Sequence, residues 1–317
     1  MKRGLLLPLL KGEQSLLMLH SSCFSAITSP AIANLTSSSS SSPPSSFRLS
    51  CAATSMATTV QEQKKALRSE IRKALKALSP QQRAHEDFVI QSTILSSSWF
   101  ESSQRLCAYI SCPSLREVDT STILSQVLTK PDSEHQVQTQ KELYVPRVED
   151  KNSNMRMLKI TTMDDLVANS MNILEPSPLD GSGNQREDVM STTNPVDLFL
   201  LPGKRNFKFK LSLCFICFSF CLSLNIANYY YYAGVCFDKE GRRLGRGGGY
   251  YDVLLKRYQD LALEKKWNKP LLVALAYSVQ IKDEGVIPVT PTDMPIDAIV
   301  SSDGVIPISP IAKEKMS

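Results

Sequence analysis

Apolar residues recur at helical spacing in "QKKALRSEIRKALKALSP" (63–80), where Leu67, Ile71, Ala74, Leu75 and Leu78 share one face. The opposite face carries Lys64, Lys65, Arg68, Arg72, Lys73 and Lys76. Ser79-Pro80-Gln81-Gln82 then supplies an N-cap, a proline at the first helical position and a capping-box partner, predicting a second helix to about Ser96. Short apolar runs follow at 105–111, 142–146, 197–202, 271–277 and 297–302, which read as strands apolar on both faces. Helical patterns fall between them at about 119–129, 162–169 and 250–266. This alternation predicts a three-layer α/β/α domain with a mostly parallel sheet. The polar stretches 129–140 and 179–194 read as surface loops.

Composition separates the first 59 residues from the rest. They hold "SSSSSSPPSS" (37–46), four basic residues and the single acid Glu13. A Ser-rich, acid-poor leader of this kind is expected to be a disordered organellar transit peptide, with a secretory signal or plain disorder as the alternatives. The fold is then expected in residues 60–317. Without the leader the chain carries 32 basic and 30 acidic residues, four and one fewer than the whole. So balanced a charge gives no footprint for nucleic acid or a membrane, and points to a small-molecule partner. Eight cysteines show no disulfide-framework spacing, and only three scattered histidines (20, 85 and 135) argue against a His-based metal site or triad.

The candidate chemistry lies in "DKEGRRLGRGGGYYDVLLKRY" (238–258), a glycine-rich turn that feeds an amphipathic helix. Such a turn offers several backbone N–H groups and a helix N-terminus to an anion, and arginines add bidentate bonds. Asp252, just inside the helix, is placed to hold a divalent cation on bound phosphates. A tight turn with a charged rim, or a single RGG-type RNA element, are the other readings of the same residues. No Gly-Lys-Ser/Thr closes the turn, so it is not a Walker motif.

"RRLGRGGGYYD" occurs here with "KxxLR" (Lys64 to Arg68), "REVDT" (116–120), "YVPRV", "LLPG" and "TDMPIDAIVSSDG", in that family's order over about residues 63–305. On these blocks the chain resembles 5-formyltetrahydrofolate cyclo-ligases, also called methenyltetrahydrofolate synthetases. The resemblance implies closure of 5-formyltetrahydrofolate, polyglutamylated or not, to 5,10-methenyltetrahydrofolate with ATP and Mg²⁺, releasing ADP and phosphate. A folate- or nucleotide-binding relative without turnover, or a chain disabled by an insertion at 204–234, is the alternative. The resemblance further implies a fold of the ribose-5-phosphate isomerase and glucosamine-6-phosphate deaminase group, a monomer, no stable membrane association and no nucleic-acid partner. Resemblance to plant members places it in the mitochondrion, with the chloroplast as alternative.

Carried over motif by motif, Lys64 and Arg68 match nucleotide-gripping positions on the first helix. Arg243, Leu244, Gly245, Arg246, Gly247, Gly248, Gly249, Tyr250 and Tyr251 match the nucleotide loop, of which Arg246 and Tyr250 also border the folate and are the implied catalytic residues. Glu117 matches a pterin contact and Met155 a substrate-lining position. Asp252 and Asp293 match the magnesium carboxylates. Some relatives carry Lys where this chain has Gly248, so that phosphate contact falls here to backbone or Arg246.

One stretch fits none of this. Relatives run from strand to loop as roughly "LLPGVxFD", whereas here 31 residues, Lys204 to Gly234, separate "LLPG" from "VCFD". Three readings compete. A transmembrane helix over 211–227 would be at the short limit of a membrane span and would drag the site-bearing loop from its strand. A metal or redox site at Cys214 and Cys217 lacks polar neighbours and a second ligand pair. The third is a retained intron translated in frame: Gly203-Lys204 can be encoded with GTAAG, Ala233-Gly234 with a terminal AG, and the residues between favour T- and A-rich codons. Its exposed apolar run would be an aggregation liability.

Overall fold

The computed structural model describes residues 47–129, 140–150, 152–169, 172–203, 236–245 and 247–317. The leader up to residue 46, most of loop 129–140, the 204–234 stretch and Arg246 therefore lie outside the described residues.

In chain order the elements are α1 (Phe47–Ala77), α2 (Pro80–Leu95), α3 (Ser98–Glu101), β1 (Arg105–Ala108), α4 (Ser121–Leu128), β2 (Glu142–Val148), β3 (Met155–Ile160), β4 (Leu166–Ala168) and β5 (Leu174–Pro176). They continue with β6 (Leu198–Pro202), β7 (Cys236–Asp238), β8 (Arg243–Leu244), α5 (Tyr250–Glu264), β9 (Leu271–Leu275), β10 (Ile281–Lys282), β11 (Ala298–Ser301), β12 (Gly304–Pro307) and α6 (Pro310–Lys315). The main sheet has the order β12-β11-β9-β6-β1-β2-β3. Its five central strands are parallel, and both edges are antiparallel hairpin partners.

Side-chain alternation along these strands divides the core in two. Leu106, Leu143, Leu198, Leu200, Val273 and Val300 pack with Leu67, Ile71, Leu75, Ile90, Ile94 and Ile123 from α1, α2 and α4. Cys107, Tyr144, Phe199, Leu272, Ala274 and Ile299 point the other way, against Leu254, Leu255 and Tyr258 of α5. The two faces give the expected α/β/α layering. Parallel strands buried on both sides account for the unbroken apolar runs that mark them in sequence. A second small sheet, β10-β7-β8, carries the start of the glycine turn. Among the described residues no helix is long and apolar enough to cross a membrane.

Helix α1 begins at Phe47. Three expectations need correction. The helix expected over 162–169 is a 3₁₀ turn, Met163–Asp165, followed by β4 paired with β5. There the Asp165 carboxylate takes the N–H groups of Thr161 and Thr162 and a guanidinium bond from Arg186, and this local satisfaction ends any helix. Stretch 179–194 is surface only in part, since Val189 and Thr192 are buried. Finally, Lys64 does not sit on the basic face opposite the apolar stripe: it is 5 % exposed and continues the buried stripe of Leu67 and Ile71.

Candidate active site

The glycine-rich turn is built from a buried acid upward. Asp238, fully buried at the end of β7, accepts hydrogen bonds through Oδ1 from the N–H groups of Glu240 (3.1 Å) and Arg242 (2.9 Å). That Asx-type turn needs a left-handed residue, supplied by Gly241 at φ +81°. A Cβ there would stand 2.6 Å from the Ile296 carbonyl, and Ile296 N–H donates to Gly241 O at 2.9 Å. The turn is thus tied to the segment carrying Asp293. Chain then returns as β8, passes Gly245, and enters α5 through Gly247 (φ +100°) and Gly249 (φ +67°).

Helix α1 closes on this loop from the side. Arg68 Nε donates to Gly245 O at 2.7 Å, and Lys64 Nζ lies 2.6 Å from Asp293 Oδ2. Their spacing of four places both on one helix face. The two carboxylates are each held by a cation and a backbone amide. Asp252 Oδ1 takes Arg243 Nη2 at 2.5 Å and Met294 N–H at 3.1 Å. Asp293 Oδ2 takes Lys64 and Thr290 N–H (2.7 Å). Burial pushes the Asp293 carboxyl up, but Lys64 and the Thr290 amide outweigh it and hold the group below the usual carboxylate range. Arg243 is itself buried, with its guanidinium 5.9 Å above the Tyr251 ring and its Nε without a hydrogen-bond partner among the described residues.

The opposite rim comes from the β2–β3 turn and the loop after β1. Ser153 Oγ donates to Gly248 O, and Tyr250 Oη donates to Asp150 O at 2.9 Å, clamping that turn onto the head of α5. Burial, with the Asp150 charge, raises the Tyr250 phenol, so its hydroxyl remains a donor. Met155 is buried in the same cluster as Tyr250 and Tyr251. Glu117, 6 % exposed, accepts Cys112 N–H at 2.9 Å. Burial, helped by the Glu117 charge, pushes the Tyr251 phenol well up.

The sequence profile of the 5-formyltetrahydrofolate cyclo-ligase family matches residues 60–204 and 228–302. The chain belongs to that family. It is 54% identical over 258 residues to the mitochondrial 5-formyltetrahydrofolate cyclo-ligase of Arabidopsis thaliana, covering 81% of this chain and 80% of that protein. It is 28% identical over 250 residues to the Mus musculus 5-formyltetrahydrofolate cyclo-ligase, covering 78% of this chain and 97% of that one. Among solved structures it is similar to the 5,10-methenyltetrahydrofolate synthetase of Aquifex aeolicus, with a TM-score of 0.52 at 25% identity over 77% of this chain and 92% of that chain. The cyclo-ligase profile breaks off inside the stretch that separates "LLPG" from "VCFD".

The fold brings Lys64, Arg68, Arg243, Gly245, Asp252 and Asp293 into one connected set, with Tyr250 and Met155 on its rim. Sequence reasoning missed Asp238, Ser153 and the Thr290 and Met294 amides. Asp238 and Gly241 carried a readable signal, an Asp three residues before a Gly in "DKEG". Two carboxylates from separate segments, with no cluster of three or more metal-ligating acids, His or Cys among the described residues, suit Mg²⁺, which takes one or two protein carboxylates and completes its shell with phosphates and water.

Proposed function

We propose that this chain is an ATP-dependent 5-formyltetrahydrofolate cyclo-ligase. The observation that carries the reading is the convergence of Lys64, Arg68, Arg243, Asp252 and Asp293 on a glycine turn that opens helix α5. The turn amides and Arg246 receive the triphosphate, with Lys64 and Arg68 reaching it from α1. Asp252 and Asp293 would hold Mg²⁺, which when bound neutralises phosphate charge. Glu117 orients the pterin as an acceptor for its N–H donors, and Met155 lines the folate side. Tyr250 fixes the turn around Asp150 against the reacting groups.

In the reaction the N5-formyl oxygen takes the γ-phosphoryl group of ATP, releasing ADP. N10 then attacks the activated formyl carbon and loses its proton to solvent, and phosphate departs with that oxygen. The chain's own residues supply position and cationic stabilisation, consistent with a site built without histidine. The protein acts as a monomer in the mitochondrion, after loss of its leader, on folate with or without a polyglutamate tail.

We further propose that residues 204–234 are an insertion into the cyclo-ligase domain, encoded by a retained intron. Both flanks lie against one short segment. A Cβ on Gly203 would stand 2.5 Å from Gln280 Nε2, and Gln280 lies one residue before the Ile281–Phe237 pair that registers β10 beside β7.

The test of function is direct. Purified protein, 5-formyltetrahydrofolate and Mg-ATP should produce methenyltetrahydrofolate absorbance, with one ADP per product and no turnover when EDTA removes the divalent cation. Folate and nucleotide binding without ADP release would replace this reading with the non-catalytic one.

A further inference from the structure

Residues 116–120 form no regular element between the 3₁₀ turn at Pro113–Leu115 and α4, yet side chains hold every one of them. Arg116, at φ +51°, donates through Nη1 to the Leu75 carbonyl near the end of α1 at 2.8 Å. Tyr277 Oη donates to the Glu117 carbonyl at 2.9 Å, and Tyr109 Oη donates to the Val118 carbonyl at 2.7 Å. Asp87 Oδ1 accepts the Asp119 N–H at 2.9 Å. Thr120 Oγ1 donates to the Tyr109 carbonyl at 3.0 Å. Tyr277 Oη shares its one proton between the Glu117 carbonyl and Asp87 Oδ1, 2.8 Å away, so the groups holding Glu117 and Asp119 also hold each other.

The frame has a direction. Asp87 comes from α2 and Tyr277 from the end of β9, two elements that meet at the C-terminal edge of the sheet. Next to Asp87, Glu86 takes the N–H and hydroxyl of Ser278 at 2.8 and 2.9 Å, which fixes the backbone from which Tyr277 projects. Tyr277 is 1 % exposed and Glu117 6 %, so these bonds act without competition from water. The group delivered by this arrangement is the Glu117 carboxylate, set toward the Cys112 amide and the Tyr251 side of the site.

We propose that Tyr277 and Asp87 are positioning residues for folate, acting through Glu117. The proposal rests on the reading that Glu117 contacts the pterin. A carboxylate that must meet adjacent N–H donors loses much of its value when displaced by a fraction of an ångström, and the main chain at Glu117 has its carbonyl anchored by the Tyr277 hydroxyl.

The experiment measures equilibrium binding of 5-formyltetrahydrofolate and, separately, of Mg-ATP to the full chain, well below its melting temperature, in Tyr277→Phe, Asp87→Asn, Glu117→Gln and the Tyr277→Phe/Glu117→Gln double variant. Glu117→Gln and Tyr277→Phe are each expected to weaken folate binding by about tenfold, Asp87→Asn by less, all with Mg-ATP affinity unchanged. The double variant is expected to bind folate no more weakly than Glu117→Gln, because the pair acts as a unit. Losses that multiply in the double variant, or that appear equally for Mg-ATP, overturn the proposal and leave Tyr277 a structural residue. Normal folate binding by both Tyr277→Phe and Asp87→Asn overturns it as well. Normal binding by Glu117→Gln overturns the pterin contact itself, and the positioning role with it.

Discussion

Lys64 and Asp293, 229 residues apart in sequence, form a 2.6 Å ion pair at the edge of the glycine turn. The ammonium is nearly buried and the carboxylate partly so, at 6% and 21% side-chain exposure. The lysine supplies the positive charge that offsets the acid. Lys64→Met should therefore weaken two things at once. Stability should fall by about 1–3 kcal/mol, because a partly buried carboxylate loses its charged donor. KM for ATP should rise by about tenfold or more, with KM for folate little changed. Denaturant unfolding and paired saturation curves measure both.

The same pair sets an acid limit. Asp293 titrates below the usual carboxylate range when folded, so the folded state binds its proton more weakly than the unfolded chain does. Its stabilising contribution is complete above the unfolded value, about pH 4, and is lost as pH falls through the depressed folded value. Asp293→Asn should lower stability at pH 7 and flatten that part of the acid limb. Chemical denaturation between about pH 5 and pH 2 reads the slope directly.

Gly241 is the residue through which the turn and the Asp293 segment touch. Gly241→Ala places a Cβ against the Ile296 carbonyl at a φ of +81°. The strained backbone alone should destabilise by about 1–3 kcal/mol. Displacement of Ile296 would also shift Met294, whose amide anchors Asp252. Melting curves should show the loss, and metal titrations of activity should show a raised half-saturation.

Removal of residues 204–234, rejoining Gly203 to Val235, should raise soluble yield and specific activity together. Size-exclusion profiles and turnover of the two forms, prepared side by side, test this. Equal behaviour would make the segment a tolerated part of the domain.

Much of the fold was legible because burial on both faces writes itself as apolar runs, and because α1, α2 and α5 keep clean helical periods. The antiparallel edge strand β3 was not. Its buried set, Met155, Met157, Leu158 and Ile160, breaks strict alternation and mimics neither pattern cleanly. Lys64 fell on the wrong face because its charge set it among the basic residues, and the acid that makes its burial tolerable lies far along the chain. For the same reason Asp238 and Tyr277 were invisible as frame residues: their partners are backbone groups, which composition does not display. The glycine turn was readable locally, as were Asp252 and the two cations of α1, but only the fold places Asp293 beside them.

The wide separation of Lys64 from Asp293 also orders events in time. At about 5–20 residues per second, a ribosome delivers Asp293 roughly 10–50 s after Lys64. Through that interval Lys64 lacks the acid it pairs with in the folded chain. Truncated products and stalled chains that end before Asp293 thus cannot neutralise a lysine that folding buries.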